Sequence, residues 1–313
     1  MSSSKHPVAQ ALEEALQNQS FDTLEELQAF AQAFMNQQNH QAPEEFHGLS
    51  PEQMHKVLHM PFDCPELVEF QDRVPLADCQ DTPFFWLFAQ LIEAIGEKGL
   101  KPTATGNLPR NLCRSLVPLY REKFSHMKHG WIGPINTEAD FQELNTVRVV
   151  AELAGLIRKY KGKFILSQKC RNLLTKHEGA ELYPFILKTS LRKYNWGYQD
   201  GHAEFAFIQH SALFSIYLLH KYGDTPRPIE FYSDAFLNAF PMILHEVPPS
   251  DYHFNEPAEV ISRAYQLRVL DRFASFMGLA QLHYAPNPDS TSYMDKELVT
   301  VTKTPLLDQC WKF

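Results

Sequence analysis

A unit of helix, glycine stop, short extended segment and newly capped helix recurs along this 313-residue chain, and this recurrence constrains the fold more than any single motif does. The first copy spans 91–108, the second spans 156–173, and a third, looser copy spans 257–307. Self-similarity of this kind indicates a repeat architecture in which each copy forms one supersecondary unit. The chain has only 13 glycines, which disfavours a large doubly wound nucleotide-binding fold.

Capping residues and prolines mark the helix boundaries. Ser50-Pro51 begins one helix, with Ser as N-cap, Pro at N1 and Gln53 at N3, and Thr82-Pro83 begins another in the same way. The helix after Thr82 is apolar at almost every position, which predicts a buried central helix. The predicted helices span 9–16, 22–36, 51–60, 84–95, 107–123, 147–160, 167–174, 180–193, 202–221, 228–244 and 257–277. The predicted extended segments span 100–103, 163–166, 279–284 and 297–302.

This order of elements is that of a winged-helix unit, in which two strands form the wing and the preceding helix is the candidate recognition helix. The segments LKPTATGNL at 100–108 and FILSQKCRNLL at 164–174 resemble the last wing strand of bacterial winged-helix regulators. The second segment has Cys170 where that family usually has Gly. The segment FHGLSPEQM at 46–54, together with 100–109, also resembles a group of uncharacterised bacterial proteins, a resemblance that implies no activity.

We therefore predict a mainly α fold of tandem winged-helix-like units with short β-wings, behind an acidic helical N-terminal region. Three regions are expected. Residues 1–80 form the acidic helical region, and 81–195 form a basic region with two winged-helix-like repeats. Residues 196–313 form a helical region that ends in the third unit.

The net charge of −8 hides an asymmetry along the chain. Residues 1–96 hold 3 Lys and Arg against 15 Asp and Glu, residues 97–193 hold 18 against 8, and residues 194–313 hold 8 against 14. A basic segment between two acidic ones indicates a surface for a polyanion, either nucleic acid or an acidic protein. The alternative is that the basic segment docks on its own acidic flanks, because opposite charges in one chain attract.

Basic residues of the 97–193 segment are the candidate binding residues, because they cluster around the predicted wings and turns where phosphate contacts are needed. They are Lys101, Arg110, Arg114, Arg121, Lys123, Arg158, Lys159, Lys161, Lys163, Lys169 and Arg171. The predicted recognition helices are very apolar, so few of their side chains could read base edges and the helices are expected to be buried. A protein–protein scaffold is therefore a further alternative.

Enzymatic alternatives have less support. The sequence contains no GxxxxGK[ST], GxGxxG, HExxH or GxSxG motif, which removes the usual signatures of phosphate-loop, dinucleotide, zincin and hydrolase sites. His55 and His59 lie four residues apart on one helix, and His47 and Asp63 are near enough in sequence to complete a metal site. The competing interpretation is a solvated polar face on a short helix.

A second polar group consists of Asp200, His202 and Glu204, with His210 further along. Asp200 and His202 could form a carboxylate–imidazole pair, with Glu204 as a second acid or base. The simpler role for Asp200 and His202 is capping of a helix N-terminus. The basic-aromatic cluster at 126–131 could contact phosphates or stack on a base, or could be an ordinary surface loop.

The five cysteines form no CxxC pair and are odd in number, which predicts buried, reduced thiols in a cytoplasm. No run of about 18 apolar residues occurs, which predicts that no segment spans a membrane. We expect no cofactor and no bound metal, and the oligomeric state stays open. The predicted function is that of a non-enzymatic binding or regulatory protein in a bacterial cytoplasm, with an enzyme or a scaffold as the alternatives.

Overall fold

The computed structural model describes residues 7–127, 133–198, 200–203, 205–248, 256–286 and 297–313. The chain divides into two compact units, Met1–Leu67 and Val68–Phe313. Among the described residues, the helices are too short or too polar for any of them to cross a membrane.

The first unit is helical. It contains α1 (Pro7–Gln17), α2 (Leu24–His40), a 3-10 turn (Glu44–Phe46) and α3 (Pro51–His59). The Ser50 hydroxyl accepts a hydrogen bond from the Gln53 amide at 3.2 Å, and the Gln53 side chain accepts one from the Ser50 amide at 2.9 Å. This reciprocal capping box confirms the predicted start of α3.

The first half of the second unit contains a short β-hairpin between its helices. Its elements are β1 (Glu69–Phe70), α4 (Leu76–Cys79), α5 (Pro83–Ile95), α6 (Arg110–Lys123), a 3-10 turn (Glu138–Asp140), α7 (Gln142–Leu153), β2 (Ile157–Tyr160), β3 (Lys163–Leu166), α8 (Gln168–Thr175), a 3-10 turn (Lys176–Gly179) and α9 (Leu182–Arg192). The α5 helix is buried along most of its length, as its apolar sequence predicts.

The second half continues with helices and a longer hairpin. Its elements are α10 (Ala206–His210), α11 (Ala212–Tyr222), β4 (Arg227–Pro228), α12 (Ile229–Ala239), a 3-10 helix (Pro241–Glu246), α13 (Pro257–Tyr265), β5 (Ala280–Pro286), β6 (Glu297–Lys303), α14 (Pro305–Cys310) and β7 (Trp311–Lys312). After Tyr265 the α13 helix continues as a π-helical segment, Gln266–Ser275.

Within the described residues, three small antiparallel sheets join these helices. The β2 strand pairs with β3, and Leu100 forms an isolated antiparallel bridge to Phe164 on the other side of β3. The β6 strand lies between β4 and β5, and β1 pairs with β7. The described chain is thus mainly helical with small antiparallel sheets, which confirms the predicted fold class at this level.

The predicted helix 147–160 is wrong at its C-terminal end. The α7 helix ends at Leu153 because Gly155 takes a left-handed conformation with φ of 67°, and the Leu156 amide donates to the Ala151 carbonyl at 2.9 Å. The chain then enters β2 instead of continuing the helix. At the other end of β2, Lys161 and Gly162 have φ of 46° and 72°, which is the type I′ turn that suits a two-residue hairpin.

Two other predicted elements differ in the structure. The predicted helix 202–221 begins only at Ala206 and is interrupted at Ser211, which separates α10 from α11. The 100–108 segment forms a turn, with the Gly106 amide donating to the Thr103 carbonyl at 2.9 Å, and contributes a single bridge position at Leu100. The first sequence copy therefore shares the sheet of the second copy instead of forming a wing of its own.

All five cysteines are buried, and none of them forms a disulfide bond. Burial, aided by the nearby Asp78 carboxylate, raises the pKa of Cys79 to about 12, and burial raises the pKa of Cys170 to about 11. We expect a chromogenic disulfide reagent at about pH 8 to label no thiol in the native protein within the time that labels all five in denaturant, because both access and thiolate formation are suppressed. Rapid labelling of even one native thiol would contradict this burial.

Candidate functional site

The β2–β3 hairpin carries a dense group of exposed cations, and we call it the basic hairpin (Ile157–Leu166). Arg158, Lys159, Lys161 and Lys163 are all exposed on it. Tyr160 is 50% exposed between them. The Arg158 guanidinium lies 5.5 Å from the Tyr160 ring centroid, and the Lys161 ammonium lies 5.4 Å from it. The hairpin thus presents an aromatic ring flanked by two cations.

Buried apolar residues anchor this hairpin to the rest of the unit. Phe164 is 0% exposed, and its backbone exchanges two hydrogen bonds with Leu100 at 2.8 and 2.9 Å. The Lys163 ammonium donates to the Lys98 carbonyl at 2.9 Å. Gly99 has φ of 74°, and a Cβ there would lie 2.9 Å from the Phe164 carbonyl oxygen, so the chain can pass this close only with glycine. The charged side chains are therefore displayed on a supported hairpin.

Carboxylates do not neutralise the four cations of the hairpin within the described residues. No Asp or Glu oxygen of that part of the chain comes within 4.0 Å of Arg158, Lys159, Lys161 or Lys163. By contrast, Lys188 pairs with Asp72 at 2.6 Å. A positive field with no local counter-charge attracts polyanions in a salt-dependent way.

The other predicted binding residues do not join this surface as one cluster. Arg114 on α6 donates to the Ile135 carbonyl at 2.7 Å, and Lys123 pairs with Asp81 at 2.8 Å. Both side chains therefore hold the α6 helix to neighbouring segments. Lys101, Arg110 and Arg171 are exposed and Arg121 is half-buried.

Lys169 has a different environment on α8. Its ammonium lies 3.7 Å from the Phe185 ring centroid. Burial, with a smaller contribution from the positive charge of Lys193, lowers the pKa of Lys169. The predicted binding residues of the 97–193 segment are thus divided between α6, the basic hairpin and α8. Part of the positive charge of this segment is neutralised by ion pairs within the chain, such as Lys123 with Asp81.

The α7 helix, which precedes the hairpin, is buried and cannot read bases in this structure. Leu144, Val147 and Val150 are each 0% exposed. Arg148, also buried, pairs with Glu138 at 2.5 Å and with Glu152. The burial agrees with the apolar sequence of the predicted recognition helices.

The histidine pair on α3 lacks a set of metal ligands in the described residues. The His55 and His59 rings lie 4.5 Å apart between centroids, and both side chains are exposed. Across the described ranges, no group of three or more His, Cys, Asp or Glu side chains is arranged to hold a metal ion. His47 and Asp63 do not complete a site.

Asp200 binds Arg268 and not the His202 ring. Its carboxylate accepts from Arg268 Nε at 2.5 Å and from Nη2 at 3.2 Å, and its Oδ1 also accepts from the His202 backbone amide at 2.9 Å. The predicted helix cap is wrong, because α10 begins at Ala206. Burial lowers the pKa of His202 and outweighs the opposing charge of Asp200.

The remaining predicted polar residues do not extend this group. His210 is exposed, and its ring lies 5.8 Å from that of Phe207. Glu204, His129 and Trp131 lie outside the described residues. Among the described residues, Asp200 therefore has a structural role, which is to pair with the buried Arg268.

Sequence reasoning missed Tyr160, because it placed this residue at the end of a helix. The available signal was Gly162, since glycine readily takes the positive φ that the turn of a two-residue type I′ hairpin requires. No protein-family model, curated protein or solved structure matches this chain. Function therefore has to be inferred from the geometry of its own residues.

Proposed function

We propose that this chain is a non-enzymatic nucleic-acid-binding protein made of two winged-helix units, and that the basic hairpin contacts the phosphate backbone. The observation that carries this proposal is the group of four exposed cations on a supported hairpin, without a carboxylate partner among the described residues. Basic side chains on an exposed wing contact phosphates without reading sequence.

The topology supports two units in place of three. In the first, α5, Leu100, α6, α7, β2 and β3 follow in order, and β3 lies between Leu100 and β2. In the second, α11, β4, α12, α13, β5 and β6 follow in the same order, and β6 lies between β4 and β5. Both halves thus place a helix, an edge strand, two helices and a hairpin in the arrangement of a winged-helix unit.

In the first unit, we propose that the basic hairpin contacts the nucleic acid and that α7 does not. The α7 helix is buried and its Arg148 is occupied by Glu138 and Glu152, so base-edge readout from α7 is not available. Tyr160 offers an exposed ring that can stack on a base or pack on a sugar. We expect binding that depends strongly on salt and weakly on sequence.

The test compares two variants that lose the same charge. In the hairpin variant R158Q/K159Q/K161Q/K163Q, we expect the affinity for a short duplex DNA, measured by fluorescence anisotropy, to fall at least about tenfold in low salt. Each lost phosphate contact should make the slope of log affinity against log salt concentration less negative by about 0.9. The control variant K193Q/K221Q/R263Q/K312Q changes four exposed cations elsewhere and should bind nearly as wild type does. Equal loss in both variants, or no binding by the wild type in low salt, would overturn the proposal.

An acidic protein is the alternative occupant of the same hairpin, because carboxylate clusters present the same charge to it. Repeating the binding measurement with polyglutamate in place of DNA distinguishes an acidic protein partner from nucleic acid. If polyglutamate binds in a hairpin-dependent way and duplex DNA does not, the partner is an acidic protein and the nucleic-acid proposal fails.

A further inference from the structure

The α2 helix of the first unit has an apolar face that the described chain covers only in part. The residues of this face recur at helical spacing and are Leu24, Leu27, Phe30, Ala31, Phe34 and Met35. None of the 17 residues of α2 is buried, although α1 and α3 both contact this helix. A surface helix normally buries its apolar stripe against the rest of its protein. The α2 face therefore has room for a further partner.

Leu24 and Met35 form the exposed edge of this face. They are eleven positions apart, which is close to three helical turns, so both side chains lie on the same side of α2. Leu24 is 69% exposed and Met35 is 36% exposed. Aromatic rings continue the face, since the Phe30 ring centroid lies 5.3 Å from that of Phe21 and 6.5 Å from that of Phe34. The face thus offers an apolar strip about three turns long.

The region around this strip carries acidic side chains and no Lys or Arg. Residues 6–55 contain eight Asp and Glu and not one Lys or Arg. Glu14 on α1, and Asp22, Glu25 and Glu26 at the start of α2, are all exposed. Within the described ranges, no Lys or Arg nitrogen lies within 4.0 Å of these four carboxylates. The apolar strip is therefore accompanied by negative charge that the chain leaves in solvent.

The charge of this region decides which kind of partner the face fits. A second copy of the same face would bring like charges together, and an anionic lipid surface would meet the same repulsion. A basic amphipathic helix is complementary in both respects. Its apolar stripe covers Leu24 and Met35, and the Lys and Arg at the border of its stripe meet Asp22, Glu25 and Glu26.

We infer that the α2 face of the first unit is a docking site for a basic amphipathic helix of another protein. Apolar burial supplies the affinity, and the carboxylates select a cationic partner and orient it. The inference does not rest on nucleic-acid binding, because it uses a different unit of the chain and its test needs no nucleic acid.

Three synthetic peptides of about 18 residues, or five helical turns, provide the test. The first has leucines along one helical face and lysines elsewhere, the second has glutamate in place of every lysine, and the third has the composition of the first in an order without an apolar face. We expect the full chain, in fluorescence anisotropy, to bind the first peptide at least about tenfold more tightly than either of the others. Equal binding of the glutamate peptide or of the reordered peptide would overturn the inference.

A pair of polar substitutions tests the apolar strip. In L24Q/M35Q, the affinity for the leucine–lysine peptide should fall at least about fivefold, because two apolar contacts are lost. The matched control L119Q/M242Q changes two exposed apolar residues of the second unit, which are 51% and 73% exposed, and should bind as wild type does. Equal affinity in L24Q/M35Q and its control would show that the peptide does not bind at the α2 face.

A pair of isosteric substitutions tests the charge. E25Q/E26Q keeps the acceptor that Glu26 provides to the Asp22 amide at 3.0 Å, and it should weaken binding of the leucine–lysine peptide at least about threefold. The control E93Q/E230Q removes two exposed carboxylates of the second unit and should leave the affinity unchanged. An equal loss in the control would assign the attraction to the net charge of the whole chain and contradict the docking site.

The other occupants of the face have their own signatures. A dimer in sedimentation velocity that disappears in L24Q/M35Q would identify a second copy of the chain as the occupant. Binding to phosphatidylcholine–phosphatidylserine vesicles that disappears in the same variant would identify a lipid surface. Either result would overturn the inference, and we expect neither, because both occupants are opposed by the charge of the region.

Discussion

Replacement of Asp200 by alanine should lower the free energy of unfolding by about 3 to 5 kcal/mol, which is the cost of leaving a buried charge without its partner. Arg268 is 2% exposed and the Asp200 side chain is 0% exposed, so water cannot take the place of the lost carboxylate. Arg268 also donates to the Ala203 carbonyl at 2.8 Å, and it therefore holds both Asp200 and Ala203 against the π-helical segment. Urea denaturation followed by circular dichroism measures the change.

A double variant and an exposed pair serve as controls. D200A/R268M should be less destabilised than D200A, because replacement of both partners removes the unpaired charge. E259A removes a partner of the exposed Arg263, which lies 3.9 Å away, and should cost no more than about 0.5 kcal/mol. A cost for D200A as small as that for E259A would show that the Asp200–Arg268 pair does not stabilise the fold.

Replacement of Glu138 by alanine should have a similar effect, again about 3 to 5 kcal/mol, because one buried carboxylate serves three donors. Its Oε2 accepts from the Leu108 amide at 2.6 Å, and its Oε1 accepts from Asn145 Nδ2 at 2.8 Å and from Arg148 Nε at 2.5 Å. These bonds join the start of α6 to α7. Loss of the Glu138 carboxylate leaves buried donors without an acceptor at the start of α6 and on α7.

Glu152 offers a matched comparison, since it pairs with the same Arg148 from the next turn of α7 and is 27% exposed. E152A should cost about 1 kcal/mol or less, because solvent can replace a partly exposed carboxylate. Equal costs for E138A and E152A would contradict the role assigned to burial. E138Q provides a further check, since it keeps an oxygen acceptor and should be less destabilising than E138A.

Helix starts were the features that the sequence predicted most reliably, because their signals are local. The start of α3 depends on Ser50 and Gln53, and the start of α5 depends on Thr82, whose hydroxyl accepts from the Phe85 amide at 3.4 Å. Each of these bonds spans three residues, so the sequence contains everything that it needs. The buried α5 helix was predictable for the same reason, because its apolar residues surround the helix on all sides.

The hairpin was harder to predict, because its strands are stabilised by residues that are distant in sequence. The 147–160 run is apolar enough for a helix, and only Gly155 and the Lys161-Gly162 turn show that the chain changes direction. The bridge from Leu100 to Phe164 joins residues that the sequence analysis had assigned to different copies. The same bridge supports the proposal that the two copies form one winged-helix unit.

By itself, the sequence determined the helix starts, the buried apolar helices and the concentration of positive charge in 97–193, because caps and periodic patterns act within a few residues. Only the tertiary structure decided which charges are neutralised. Lys188 meets Asp72 and Arg268 meets Asp200 across long stretches of chain, whereas the cations of the basic hairpin have no carboxylate within 4.0 Å in the described residues. The physical reason is that ion pairing and burial depend on distance in space, which the fold alone sets.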